Sequence, residues 1–319
     1  MRNPKENPLD TNQNVRGTSN FTVYSNLEIR NIDIVRLDPF GPTIYQPYKK
    51  PGNFSQKTGN WLHFKTSFNL LEKYLLFAPG EMIDPLTMAD TERLLRDLGF
   101  IEDADIMVTQ IAGSNLADVE ITVKDRWAYG LGGEISEVNK GKLDLINQNI
   151  FGLGHENNNT FIVNGDYYPN LGYDGTYVIK NVGGKFFDAM LRYRDEFGTY
   201  TYEADFSRQF FTSSTKYAGG IGFERTVTRK TFRLQDTVIA NEPLDYQYHN
   251  FWIGRAIPIK GRNLLARQRQ NIVLTTRYYQ KTYFERPPGV TAEQLYAYYI
   301  GTFYWAALGI LSSCLEKAT

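Results

Sequence analysis

Two kinds of sequence periodicity meet at Trp127. Before this residue, apolar side chains recur at the three- and four-residue spacing of helices and then alternate along two short strands. After it, helical patterns disappear, and apolar residues alternate with charged ones in one segment after another. Such alternation produces sheets with one apolar and one wet face. The sequence therefore predicts a small α+β domain that is followed, without a linker, by a large antiparallel sheet.

The first domain is predicted over residues 25–125, after a disordered leader at residues 1–24 that is rich in Asn, Pro, Thr and Lys. Its expected order is strand, helix, helix, strand, strand. In the first strand Ile29, Ile32 and Ile34 do not keep one parity, which predicts a bulge. The expected elements are Leu27–Leu37, Asn60–Leu76, a helix capped by Asp84 and closed by Gly99, Phe100–Ile111 and Ala117–Lys124.

Residues 126–319 are predicted to form about ten strands with an apolar and a charged face. The candidate segments lie near 127–136, 141–151, 158–167, 171–181, 185–195, 199–210, 216–225, 246–257, 268–285 and 295–311. Several of them reach the roughly 9–11 residues that a tilted strand needs to cross a bilayer. A soluble β-sandwich or barrel would also alternate. Aromatic residues at strand ends, as at Tyr278 and Tyr279, and charges repeated on the wet face favour a membrane barrel.

Composition excludes some classes of protein. The 319 residues carry 35 basic and 35 acidic side chains, which argues against nucleic acid as the main partner. The chain is rich in Tyr (22) and Phe (20), as strands and membrane-interface belts are. No apolar run is long enough for a transmembrane helix, and the start lacks the apolar region of a signal peptide. An outer-membrane protein needs such a signal, so we expect it to have been removed or the chain to be an incomplete product.

Several motifs, in this order, resemble the Omp85 superfamily, the BamA/TamA-type outer-membrane proteins also called the bacterial surface antigen family. Five motifs carry most of the resemblance: Phe77–Glu81, Asp90–Arg96, Leu98–Ala104, Val123–Trp127 and Asn147–Gly154. Three weaker ones are Arg208–Phe211, Gly219–Ile221 and Trp252–Ala256. The resemblance implies a POTRA-like periplasmic domain (β-α-α-β-β) followed by an antiparallel transmembrane β-barrel.

The chain departs from the family pattern in its second half. The family barrel has more strands than can be counted here, and its Arg-Gly-aromatic motif has no match, since Arg16-Gly17 precedes Thr18 in the leader. The end also lacks a terminal aromatic strand. We therefore expect an incomplete barrel that cannot close in the family's way, and the sequence leaves open whether the chain is truncated or frameshifted after about Leu311. The alternative is a smaller closed barrel with a different register.

Two backbone sites are implied by the resemblance. The first is an edge strand of the POTRA-like sheet that could accept a client strand, either Leu27–Leu37, with Ile29, Ile32 and Ile34, or Phe100–Ile111. The alternative is that both strands simply complete a small domain.

The second site is the first barrel strand, Trp127–Ser136, as one lip of a lateral gate. Its candidate residues are Trp127, Tyr129, Gly130, Gly132 and Gly133. The alternative is that these glycines only make room at a crowded wall.

Catalytic chemistry has little support in the sequence, so we do not expect an enzyme. The three histidines, His63, His155 and His249, are scattered and form no metal-ligand spacing with the single cysteine, Cys314. A barrel hydrolase could use His249 with Ser207 or Asp205, but no spacing requires it. No cofactor is expected.

The function predicted from the resemblance is assembly, insertion or translocation of outer-membrane proteins in a Gram-negative bacterium. The expected partners are unfolded client proteins, periplasmic or lipoprotein partners and the lipid bilayer. The expected location is the outer membrane, with the N-terminal domain in the periplasm. The alternative is a passive pore or anchor whose periplasmic domain docks a partner.

Overall fold

The computed structural model describes residues 21–212, 214–234, 237–258, 271–287 and 307–311. The chain forms two compact units, Met1–Trp127 and Ala128–Thr319. Of the predicted leader, residues 1–20 lie outside the described residues. Within its last residues, Thr22–Tyr24 forms a 3-10 turn and Phe21 is buried, so this part is structured.

The first unit contains a three-stranded mixed sheet and three helices. Its elements are β1 (Glu28–Leu37), α1 (Phe54–Leu62), α2 (Phe68–Glu72), α3 (Pro85–Arg96), β2 (Ile101–Gln110) and β3 (Leu116–Asp125). The strand order is β1-β3-β2, with β1 parallel and β2 antiparallel to the central β3. The register of β1 shifts between Ile29 and Asn31, which confirms the predicted bulge.

The central strand β3 forms the core of the first unit. Val119, Ile121 and Val123 are buried on one face of β3, as the alternation predicts, whereas Glu120 between them is exposed. Leu95 of α3 is also fully buried. Burial of an aliphatic side chain of this size contributes about 1.5–3 kcal/mol, so this alternation fixes which face of the sheet the helices cover.

The predicted helix Asn60–Leu76 is wrong in its bounds. Asn53 caps an earlier start by accepting a hydrogen bond from the Gln56 N–H, and the backbone turns extended at His63. The chain resumes helical geometry only in α2. The break has a tertiary cause, because the buried Asp125 carboxylate binds both His63 and the Thr66 N–H. The local spacing of apolar residues does not reveal these partners and therefore does not predict the break.

The helix α3 begins as predicted and ends earlier. The Asp84 carboxylate accepts from the Leu86 N–H, and proline occupies the first turn, where its missing N–H costs nothing. The helix ends at Arg96 with Asp97 as its C-cap, rather than at Gly99. Gly99 lies beyond the cap, and its φ is not among the positive values.

The second unit is one antiparallel sheet in which each described strand pairs with the next along the chain. Its ten strands are β4 (Tyr129–Glu137), β5 (Lys140–Asn147), β6 (His155–Asn164), β7 (Leu171–Val182), β8 (Phe187–Glu196), β9 (Thr199–Arg208), β10 (Tyr217–Leu234), β11 (Thr237–Pro258), β12 (Asn271–Glu285) and β13 (Ala307–Leu311). Among the described residues the number of strands agrees with the predicted ten. Residues 268–270 and 295–306 of the last two predicted segments lie outside the described residues.

The hairpin of β10 and β11 extends beyond its neighbours. These strands pair from Tyr217 and Arg255 as far as Leu234 and Thr237. Strand β9 accompanies β10 only up to Val227, and β12 accompanies β11 only from Asp245. The far half of the hairpin is therefore a two-stranded ribbon among the described residues.

No helix in the described ranges is long and apolar enough to cross a membrane.

Candidate functional site

The two faces of the ten-stranded sheet differ in chemistry. Residues that pair directly across two strands lie on the same face of the sheet. Asp174 of β7 lies opposite Arg194 of β8. Arg192, two residues before Arg194 and so on the same face, lies opposite Glu203 of β9. Asp174 accepts from both arginines, with N–O distances of 2.6 Å to Arg192 and 2.8 Å to Arg194. On the same face Lys180 lies 2.7 Å from Glu156. This face therefore carries several ion pairs and suits contact with water.

The opposite face is mainly apolar and exposed, although Asn159, Arg225 and Gln247 also lie on it. Ala189, Leu191 and Tyr193 of β8 lie directly opposite Phe206, Ala204 and Tyr202 of β9. Large side chains on this face remain accessible in strand after strand, with exposed fractions of 78% for Leu131, 61% for Leu191 and 59% for Ile221. The same is true of four further residues on β10, β11 and β12: Phe223, Phe251, Ile253 and Leu274. An exposed apolar surface that crosses so many strands marks a contact with lipid or with another protein.

The predicted gate strand corresponds to β4. The strand begins at Tyr129, two residues later than predicted, because Trp127 belongs to the first unit, where its ring packs 5.5 Å from that of Phe40. One edge of β4 pairs with β5, and no described strand pairs with its other edge. Tyr129, Gly130, Gly132 and Gly133 therefore lie on a strand at the edge of the sheet in the described structure, whereas Trp127 does not, and β13 is at the opposite end of the order.

The glycines of β4 allow close packing against β5. A Cβ placed on Gly130 would lie 3.3 Å from the Ile146 Cβ, and one on Gly133 would lie 3.2 Å from the Lys142 carbonyl oxygen. At Gly132 the nearest atom, the Asp144 Cβ, would be at 3.4 Å, which is an ordinary contact. These distances are tight without being prohibitive, so both the gate and the crowded-wall interpretations stay open.

The predicted client-binding residues of β1 are already in contact within their own unit. Ile29 is buried, and its N–H donates to the Glu81 carbonyl while its carbonyl accepts from the Gly80 N–H. Ile32 and Ile34 are half-buried and face Val119 and Ile121 of β3. The start of the outer β1 edge is thus covered by the segment 80–83, whose Ile83 N–H also binds Leu27.

The outer edge of β2 is the alternative that the sequence left open. Its inner edge pairs with β3 from Ile101 to Gln110, and no described strand pairs with its outer edge. Met107 is exposed in the middle of the strand. The site residues chosen from the sequence include none from this strand, because local alternation does not show which strand lies at an uncovered edge.

A buried polar cluster in the first unit was not predicted. The Asp125 Oδ2 atom lies 2.8 Å from His63 Nε2 and accepts a 2.9 Å hydrogen bond from the Thr66 N–H. Both side chains are fully buried. The cluster joins the α1–α2 connection to Asp125 at the end of β3, close to the point where the first unit ends at Trp127.

The hydrolase arrangement is not assembled. His249 lies opposite Phe223 on the apolar face, and its Nε2 lies 2.6 Å from the Gln247 amide nitrogen. Asp205 lies opposite Gly222 on the polar face, which Ser207 shares. The sheet therefore separates the histidine from both of its suggested partners. Among the described residues no group of three or more His, Cys, Asp or Glu side chains is arranged to hold a metal ion.

Comparisons with known proteins give matches among solved structures. No protein-family model matches the chain, and no curated protein matches it. BamA from Haemophilus ducreyi lacking POTRA domains 1–3 is similar at 11% identity and a TM-score of 0.39, over 82% of this chain and 49% of that one. CdiB from Acinetobacter baumannii is similar at 11% identity and a TM-score of 0.37, over 82% of this chain and 47% of that one.

CdiB from Escherichia coli is also similar, at 11% identity and a TM-score of 0.38, over 84% of this chain and 48% of that one. The chain therefore spans about half the length of each of these structures.

Proposed function

We propose that this chain is an outer-membrane protein of Omp85 type that assembles or translocates other outer-membrane proteins. The observation that carries the proposal is the exposed apolar face of the second unit. Each Å² of apolar surface left in water costs roughly 25 cal/mol, so a face of this extent requires an apolar surrounding. Lipid supplies that surrounding, and the ion-paired opposite face then lines an aqueous interior.

The sequence resemblance supports the finer part of the proposal, as does the order of one strand, helices and two strands in the first unit, which has three helices instead of the expected two. A POTRA-like unit in the periplasm would receive unfolded outer-membrane clients, together with periplasmic or lipoprotein partners. Client chains are extended and have unsatisfied backbone groups, which an uncovered sheet edge can pair. We assign this role to the outer edge of β2, since the segment 80–83 already occupies part of the β1 edge.

Hydrogen exchange of the full chain tests this assignment. Addition of an unfolded outer-membrane client should slow amide exchange in peptides that cover residues 101–110 of β2. Peptides that cover the start of β1 around Ile29 serve as the matched control and should not change, because the Ile29 amide already donates to Glu81. Slowing confined to β1, or slowing in neither strand, would contradict the assignment.

The second proposed contact is at β4, whose outer edge would template an incoming strand. A photo-reactive phenylalanine at Leu131 of β4 should crosslink to newly made outer-membrane proteins in cells. The control position is Leu191 of β8, which is also exposed on the apolar face but lies four strands inside the sheet. Equal client crosslinking from both positions would reject β4 as the template.

The ion-paired polar face also favours a second candidate, a passive pore or anchor. Charged pairs such as Asp174 with Arg192 are typical of residues that line a water-filled channel. A passive pore predicts steady conductance in planar bilayers that does not depend on client, with no client crosslinks from Leu131. The two candidates are therefore distinguished by the same crosslinking experiment together with a conductance recording.

A further inference from the structure

The helix α1 has its apolar side turned outward. Its inner side holds Gly59, where an added Cβ would lie 2.6 Å from the Phe40 ring, and Asn60, whose amide binds both backbone groups of Phe40. Phe54, Lys57 and Trp61 follow one another at spacings of three and four and so share the outer side. Phe54 and Trp61 are 83% and 81% exposed. A helix with glycine and asparagine inside and aromatic rings outside has its amphipathic pattern inverted.

Further large side chains close to α1 in the sequence are also exposed. Leu62 and Phe64 follow Trp61 and are exposed, and Tyr48, in the connection that leads to Asn53, is 94% exposed. We call these six residues, Tyr48, Phe54, Lys57, Trp61, Leu62 and Phe64, the aromatic face. Isolated exposed apolar residues need no explanation, but two rings on the outer side of one helix, with further exposed apolar residues next to them in the sequence, indicate a binding surface.

The charge around this surface has one sign. Between Pro39 and Leu71 the sequence contains four lysines and no Asp or Glu. Lys65 pairs with Asp38 at 2.9 Å, whereas Lys49, Lys50 and Lys57 are exposed in the same segment of the sequence as the rings. A basic surrounding favours an anionic partner. Tyr and Trp rings combined with lysine are the side chains that lie at the headgroup level of membranes.

We propose that the aromatic face rests on anionic lipid headgroups, with its rings at the membrane interface and its lysines near lipid phosphates. This inference rests on the proposed outer-membrane function, which brings the chain to a bilayer. An acidic protein partner would satisfy the lysines, but it would leave unexplained why rings cover a convex helix rather than a groove. Lipid headgroups explain both features, since a helix of this kind can lie in the plane of the interface.

The test uses the full chain with Cys314→Ser as background and a nitroxide label on Thr58→Cys, which leaves the rings and Lys57 in place. The control label is on Met107→Cys in β2. Each protein is reconstituted in vesicles of phosphatidylcholine alone or of phosphatidylcholine with phosphatidylglycerol. Accessibility of the label to oxygen and to a water-soluble nickel complex is then measured by electron paramagnetic resonance.

With phosphatidylglycerol present, the label at position 58 should become protected from nickel, and the label at position 107 should stay aqueous. The variant Lys57→Gln should lower the ratio of protected to aqueous label about fivefold, as expected for one lysine near an anionic surface. The double variant Phe54→Ser with Trp61→Ser should abolish the protection. Both rings point to solvent, so these changes should leave the first unit folded, which hydrogen exchange of β3 verifies.

Two results would overturn the proposal. One is a label at position 58 that is as aqueous as the label at position 107 in phosphatidylglycerol vesicles. The other is protection that rises with protein concentration and is independent of lipid charge, which would identify a second copy or another protein as the occupant. Flotation separates these results from a failure of the proposed function. A chain that does not float with vesicles contradicts the outer-membrane assignment itself, whereas a chain that floats with an aqueous label contradicts only this inference.

Discussion

The Asp125 carboxylate lies at the end of β3 and is fully buried. It binds the His63 ring and the Thr66 N–H of the α1–α2 connection, both of which are distant from Asp125 in the sequence. A buried carboxylate is tolerated only where hydrogen bonds replace its water. Here these hydrogen bonds also hold the connection in an extended conformation. Asp125 therefore explains both the break in the predicted helix and the attachment of the α1–α2 connection to the end of β3.

Substitution of Asp125 should destabilise the first unit strongly. We expect Asp125→Ala to lower its free energy of unfolding by about 3 kcal/mol, because His63 and the Thr66 N–H lose their buried partner. Glu120→Ala on the same strand is the matched control and should change it by less than about 0.5 kcal/mol, since Glu120 is exposed. Urea unfolding, monitored by hydrogen exchange in β3, measures both values. Equal effects of the two substitutions would show that the buried pair does not contribute to the free energy of unfolding.

The Asp166 carboxyl, in the connection between β6 and β7, should titrate below its ordinary pKa of 3.8. Hydrogen bonding from Lys140, 2.7 Å away, is the main cause of the lowered pKa. A depressed pKa means that the ion pair contributes above the unfolded-state pKa and is lost as pH falls through the folded-state pKa. Carbon-detected NMR of the chain in micelles should show this, and Lys140→Met should bring the pKa back toward 3.8. A titration unaffected by Lys140→Met would refute the pairing.

Residue-level sequence patterns predicted the alternation of β3 and the cap of α3 because both are local. They did not predict the outward position of Trp61 and Phe64. Their spacing with Phe68 and Leu71 is that of a buried helix face, but the chain bends at His63 and only Leu71 is buried. The information that decides this lies in Asp125, 62 residues from His63.

At the scale of single strands, the two faces of β8 should respond differently to the same charge. Leu191→Arg places a cation on the apolar face, and we expect it to destabilise the sheet in bilayers by about 2–4 kcal/mol. Met190→Arg, one residue away on the polar face, should cost far less. Urea titration of folding into vesicles measures both variants. Equal costs would mean that the apolar face is not in lipid.

The strands of the second unit were predictable because each pairs with its sequence neighbour and shows its own alternation. The lengths of β10 and β11 were not, since Arg229–Arg233 and Pro243 look like a loop in isolation. Cross-strand pairing overrides that weak local preference. The same limit applies to the candidate site: β4 was identified from sequence, whereas the cover on β1 depends on backbone bonds to Gly80 and Glu81.

At the scale of the whole molecule, the two units have separate sheets and separate cores. We therefore expect two unfolding transitions in urea for the chain in vesicles. Asp125→Ala should shift only the transition reported by β3, and Leu191→Arg only the transition reported by the second unit, because each substitution lies within a different unit. Hydrogen exchange at increasing urea separates them. A single transition shifted by both variants would show that the units unfold as one.

The ribbon formed by the far half of β10 and β11 has a consequence for how this protein can evolve. Beyond Val227 and Asp245 its backbones bond only to each other among the described residues. Side chains alternate with a period of two, so removing or adding two residues in each strand leaves every remaining residue on its original face. Insertions or deletions of two residues in each strand would change the length of the ribbon and leave the register of the other strands unchanged. Related chains are thus free to diverge in the length of this hairpin long before they diverge in the sheet that supports it.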